Sequence, residues 1–146
     1  MNEEVAAGWA IRPATREDID AVLVFWSDSD AVPTLTDGPA SLARLITGPG
    51  GLLQAEVAGP GGGLAGTLIA AWDGWRGNMY RLVIDQRLRR AGLASALVAA
   101  GEARLARLGC SRITAPVKTD HPHAVSFWAA VGYTCDPSMT RYIRDL

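Results

Sequence analysis

Three arginines, Arg87, Arg89 and Arg90, crowd one short segment that also holds Ala91, Gly92, Ala94 and Ser95. Guanidinium groups grip phosphates and carboxylates through parallel hydrogen bonds, so the cluster suits one concentrated anion site better than a broad basic face. From Leu93 onward, Leu97, Gly101, Arg104 and Leu108 share one helical face with Val98 and Leu105 beside it, and Gly109 stands where a left-handed cap belongs. The first N–H groups of such a helix have no acceptor within it, and the helix dipole makes its start positive. Gly92 permits close backbone approach, and Ala91, Ala94 and Ser95 are small. A phosphate fits this combination. The bland alternative is a basic, solvated turn whose small residues serve packing.

The elements that must carry this segment follow from periodicity and punctuation. Trp9 to Pro13 reads as a strand, and Thr15 with Asp18 forms a variant capping box before a helix that runs to about Ser27 with Ile19, Val22, Leu23 and Trp26 on its apolar face. Pro39, after Asp37-Gly38, opens a second helix with Leu42, Leu45 and Ile46, which ends at Gly48-Pro49-Gly50-Gly51. Leu52 to Ala58 and Leu64 to Trp72 read as a hairpin around a glycine-rich turn that lacks the ending of a phosphate loop. A turn at 73–78 leads to a strand from Met79 to Ile84, directly before the arginines. Ser111 to Val117 reads as a strand, Pro122 to Val131 as a helix closed by Gly132, and Tyr133 and Met139 to Ile143 as closing strand material.

The expected architecture is an α/β (α+β) fold. Its central sheet is mixed and mostly antiparallel, of six to seven strands flanked by four helices, in the order strand, helix, helix, three strands, helix, strand, helix, two strands. Residues 1–8 form an N-terminal tail and 9–146 one domain. The whole is bounded by 146 residues, 49% of them apolar, with 14 basic against 15 acidic side chains. That balance argues against a nucleic-acid binder, whose affinity needs a basic surface. The longest apolar stretches fall short of the roughly 18 uncharged residues that a membrane span requires, and Glu3 and Glu4 stand where a signal peptide would be basic, so a cytoplasmic protein is expected. Cys110 and Cys135 lack zinc-ligand spacing and read as core thiols; no metal site is visible.

At every specified position Arg89-Arg90-Ala91-Gly92-Leu93-Ala94 fits [RQ]xxGx[GA], and here the sequence resembles the GNAT superfamily of acetyl-CoA-dependent N-acetyltransferases. The likeness extends to Ile11-Arg12-Pro13-Ala14 with Asp18-Ile19 at the start, to the Asp73-Gly74-Trp75-Arg76-Gly77 turn, and to Ala124–Tyr133, which is similar to the family's closing Axx[FL][YW]xxxG[FY] segment. The resemblance implies that the pantetheine arm of acetyl-CoA pairs with Leu82, Val83 and Ile84 as another strand would. It also implies that the diphosphate rests on the amides of Arg89, Arg90, Ala91, Gly92, Leu93, Ala94 and Ser95. An N–H near Val83 or Ile84 would polarise the thioester.

Two positions depart from the family pattern. Its members often carry Asn where this chain has His121, a contact to the coenzyme arm, and Tyr where it has Trp128, a proton source for the leaving thiolate. An indole only donates and cannot be that acid. Release of a thiolate with pKa near ~8.5 at pH 7 costs only about 2 kcal/mol, however, so its loss does not exclude catalysis, and Tyr80, Tyr133 or solvent could substitute. Base candidates are Asp73 and His121, with Glu56 and His123 behind them. Each has a plainer reading: turn, outward strand residue or helix start. Trp26, Trp72 and Trp75 either line an acceptor pocket or pack the core.

The implied reaction is acetyl transfer to a primary amine by direct attack in a ternary complex, with no covalent cysteine intermediate. The other readings are a coenzyme A-binding sensor or interaction module on the same fold, and a different nucleotide-binding α/β protein. An exposed edge at Met139 to Ile143 would make a homodimer unsurprising.

Overall fold

Strands β1 (Trp9–Pro13), β2 (Leu52–Val57), β3 (Leu64–Trp72), β4 (Gly77–Ile84) and β5 (Ile113–Thr114) lie side by side in that order in the computed structural model, which describes residues 8–49, 51–58 and 61–146. The chain divides into two compact units, Met1–Ala115 and Pro116–Leu146. Within the first, β1 to β4 are antiparallel neighbours and β4 pairs β5 in parallel. Helices α1 (Ile19–Ser27) and α2 (Pro39–Thr47) precede β2, and α3 (Leu93–Arg107) links β4 to β5.

The two faces of the sheet bury different sets of side chains. Ile19, Val22 and Trp26 of α1 and Leu42 of α2 pack with Leu52, Ile69 and Val83. On the other face α3 comes so close that a methyl group at Gly101 would lie 3.0 Å from the side chains of Leu68 and Met79. Covered on both faces, β3 has no need to alternate, which is why Leu64–Trp72 reads as an almost unbroken apolar run.

The entry to α1 is tied down by charge. Arg12 on β1 donates two parallel bonds of 2.8 Å to Asp18 and one of 2.7 Å to Glu56 on β2. Asp18 also accepts the Thr15 N–H at 2.7 Å, the reciprocal arm of the expected capping box. Hydrogen bonds from Arg12, above all, hold the Asp18 carboxyl far below the usual carboxylate range.

In the second unit, α4 (Pro122–Ala130) starts at Pro122 and is closed by Gly132 at φ +97°, with the Tyr133 N–H donating to Trp128 O at 3.0 Å. Trp128 stands edge-on to Phe127 and to Tyr133, at 5.4 and 4.9 Å between ring centroids.

Four helices form as expected, but the sheet has five strands among the described residues, not six or seven. The strand expected over Ser111–Val117 shrinks to Ile113–Thr114, and Tyr133 and Met139–Ile143 form none. Asp136 accepts the Ser138 N–H at 3.0 Å and folds the chain into a turn just before Met139. Met139, Tyr142 and Ile143 are largely exposed, so no burial drives their β-favouring side chains into a ladder. The edge strand that would have served a homodimer is therefore not formed. Residues 1–7 of the expected tail and Gly50, Gly59 and Pro60 of the expected turns lie outside the described residues.

Candidate functional site

The sheet opens beside β4. The parallel ladder to β5 covers Gly77↔Ile113 and Asn78↔Thr114, closed by a hydrogen bond of 2.7 Å from Thr114 Oγ1 to Asn78 Oδ1. From Met79 to Ile84 no strand pairs with the outer edge of β4 among the described residues. On the inner side the register to β3 slips between Thr67 and Ile69, so Arg81 and Leu82 together oppose Leu68. This is a β-bulge, with Arg81 in the left-handed region at φ +54°. Beyond it the Asp85 N–H bonds Ala65 O at 2.8 Å. Antiparallel alternation from that point turns the Val83 N–H towards β3 and those of Leu82 and Ile84 outwards. The outward donors are thus Leu82 and Ile84, while Val83 is buried under α1.

The bend after β4 presents the second half of the site. Its one-turn helix, Gln86–Leu88, is capped by Asp85, whose carboxylate accepts the Arg87 N–H at 2.9 Å and Arg87 Nη2 at 2.7 Å. That pairing lowers the Asp85 carboxyl and raises the Arg87 guanidinium. Arg89 and Arg90 are exposed; Arg89 faces Asp30 at 3.4 Å, and Arg90 makes no ion pair among the described residues. Arg90 and Gly92 both take positive φ, +67° and +85°. An L side chain in that region costs about 1–2 kcal/mol, a strain that clusters at binding sites. The first intrahelical bond of α3 runs from Ala96 N to Gly92 O at 3.0 Å, so the N–H groups of Leu93, Ala94 and Ser95 precede it and lack helical acceptors. A Cβ at Gly92 would meet nothing within 4 Å. Open ground, forward amides and two exposed arginines fit a diphosphate. An unpaired strand edge leading away from them fits an extended arm that carries its own amides. A hollow of about 250 Å³ beside the bend is lined by Gly61, Gly62 and Gly63 of the hairpin turn and by Arg87 and Leu88.

Of the acid–base candidates in the first unit, Asp73 lies away from this bend. Asp73 sits in the β3–β4 turn, at the far end of β4 from the bend, roughly 25 Å away at 3.3 Å per residue. Its Oδ1 accepts the N–H groups of Trp75 and Arg76 at 2.8 and 2.7 Å, which lowers its pKa and makes it a poor base. Glu56 is bonded to Arg12 and Gln54. His121 precedes α4 with its N–H on Lys118 O at 3.2 Å, and His123 is exposed in the first turn of that helix. Trp26 is core, its Nε1 donating to Thr67 Oγ1 at 2.8 Å, whereas Trp75 is exposed under the Arg76 guanidinium. Tyr80, half-exposed on β4, is the phenol nearest the bulge in sequence. Sequence reasoning missed Arg81; its one signal was a cation in the middle of an apolar strand. Among the described residues no three His, Cys, Asp or Glu side chains come together to hold a metal ion, and no helix is long and apolar enough to cross a membrane.

The model of the Acetyltransferase (GNAT) family matches residues 20–133, and the chain belongs to that family. It is 28% identical over 130 residues to an acetyltransferase of Sodalis glossinidius, spanning 88% of this chain and 89% of that protein. An acetyltransferase of Photorhabdus laumondii is 32% identical over 112 residues, 76% of each chain. Among solved structures, the aminoglycoside 6'-N-acetyltransferase of Acinetobacter baumannii superposes with a TM-score of 0.76 at 15% identity, over 95% of this chain and 99% of that one. At that identity the likeness is one of fold.

Proposed function

We propose that the protein transfers the acetyl group of acetyl-CoA to a primary amine by direct attack within a ternary complex, with residues 9–146 acting as one cytoplasmic domain. The observation that carries the reading is the unpaired outer edge of β4, running from its bulge to a helix start with forward N–H groups and two exposed arginines. Arg89 to Ser95 hold the diphosphate by backbone N–H groups and by the guanidinium groups of Arg89 and Arg90. The arm lies along Leu82, Val83 and Ile84, and the family resemblance assigns His121 and Trp128 to it as well. An outward N–H of Leu82 or Ile84 steadies the negative charge that grows on the thioester oxygen as the amine nitrogen attacks the carbonyl carbon. The C–S bond then breaks with its electron pair on sulfur, the amine proton leaves to water or a nearby base, and coenzyme A departs as thiolate and takes a proton from solvent.

Asp73 is retained only as a base that acts through water, since its turn bonds oppose protonation. A second reading keeps the binding site but not the turnover. It is favoured by Trp128, which cannot protonate a thiolate, and by the engagement of Asp73 in its turn. Calorimetric titration with coenzyme A, followed by free-thiol release from acetyl-CoA with an aminoglycoside, glucosamine 6-phosphate and a peptide with a free N-terminus, separates the two. Binding with amine-dependent thiol release is expected. Binding without release from any amine leaves the sensor reading, and absence of binding overturns both.

A further inference from the structure

The connection between α1 and α2, residues 28–38, is fastened at two points, to β4 and to the bend that follows it. Near the bend Asp30 faces Arg89 at 3.4 Å. At the bulge, Arg81 Nε donates to Asp37 Oδ1 at 3.2 Å, and its Nη2 is bonded to Asp37 Oδ2, to Val32 O at 2.9 Å and to Thr34 Oγ1 at 3.4 Å. The connection therefore runs alongside β4 from the diphosphate end of the proposed site to the thioester end. It carries Val32 and Leu35 largely exposed.

Arg81 is also gripped from behind. Its carbonyl accepts Thr67 Oγ1 at 3.0 Å, Thr67 Oγ1 accepts Trp26 Nε1 at 2.8 Å, and the Arg81 guanidinium lies 5.3 Å from the centre of the Trp26 ring. The residue is thus held at both ends by buried partners, Trp26 and Thr67. That closed ring accounts for a left-handed backbone at a non-glycine residue, which needs support from its surroundings. Strict alternation from Met79, which meets α3, would put Arg81 on the α3 face; the bulge turns it to the α1 face, where the connection is.

We propose that Arg81 is a positioning residue for the acceptor. Its backbone makes the bulge that turns the Leu82 and Ile84 N–H groups outward, and its fork fixes the 28–38 connection, with Val32 and Leu35, as the wall against which the amine is presented. One side chain then sets the distance between the polarised thioester and the nucleophile. The inference rests on the transferase reading above.

The test uses Arg81→Gly, which keeps the left-handed backbone but removes the fork, and Asp37→Ala, which leaves the bulge residue in place; the double variant and Arg81→Lys complete the set. With the best amine of the panel, KM for the amine is expected to rise about tenfold in each single variant and no further in the double variant. Coenzyme A affinity by calorimetry should stay within about twofold, and Arg81→Lys should recover part of the loss. Amide exchange over residues 31–37 should quicken in both single variants. Unchanged amine KM, or coenzyme affinity falling in parallel with it, overturns the proposal while leaving the transferase intact. A wild-type protein that binds coenzyme A but acetylates no amine fells the transferase reading, and this inference with it, even where exchange still reports the tether.

Discussion

The inner and outer edges of β4 are made by the same residues and have opposite fates. Inward, Gly77 to Ile84 ladder onto β3 above a core that buries Leu68 and Met79 almost completely. Outward, the ladder stops after Asn78. β4 is thus a scaffold on one side and, on the proposed reading, a binding surface on the other, and composition does not tell the two apart. What distinguishes them is whether the fold brings a partner strand. Where every main-chain group is paired, a substitution is felt as lost stability; where pairing is withheld, the proposed reading has it felt as lost affinity.

The contrast can be broken from the scaffold side first. Leu68→Ala removes a fully buried side chain beneath α3 and should cost about 2–5 kcal/mol in urea unfolding, with coenzyme A affinity of the folded protein unchanged. The complementary substitution is Gly92→Asp. It forces a side chain into φ +85° and sets a negative charge before the first amides of α3, so calorimetry should register at least a hundredfold loss of coenzyme A affinity. Its stability penalty should be the smaller of the pair, about 1–2 kcal/mol.

The smallest effect sharpens the comparison at the far edge of the sheet. Asp18→Asn loosens the Arg12 fork that fastens β1 to the start of α1. Because the Asp18 pKa is depressed in the folded protein, its contribution is present in full above the unfolded value near ~3.9 and is lost as pH falls towards the folded one. Thermal midpoints of the two proteins should differ at pH 7 and converge in acid below about pH 4, with coenzyme A binding at pH 7 the same.

Local physics made much of this legible. The apolar stripe from Leu93 to Leu105, the left-handed cap at Gly109 and the arginine-glycine bend are short-range signals, and each lies where periodicity puts it. Trp26 was ambiguous, since an aromatic side chain on an amphipathic helix serves a pocket or a core equally well; its bond to Thr67 makes it core. Tyr133 and Met139–Ile143 were misread because strand residues require a partner that local composition cannot name, and a turn at Asp136 intervenes. The role of Arg81 was hidden for a related reason. A bulge is a property of register between two strands, and the acceptor of its fork, Asp37, lies 44 residues upstream.

The meeting point of β4 and β5 carries a last consequence. On the proposed reading the coenzyme lies with its acyl tail directed from the bend towards the crotch where Asn78 and Thr114 bond across the ladder. Main-chain pairing along the arm treats every acyl thioester alike, because the arm is common to all of them. Any preference for acetyl over propionyl or longer tails would then be set by the room left above that crotch, which makes the place where two strands converge a ruler for carbon number.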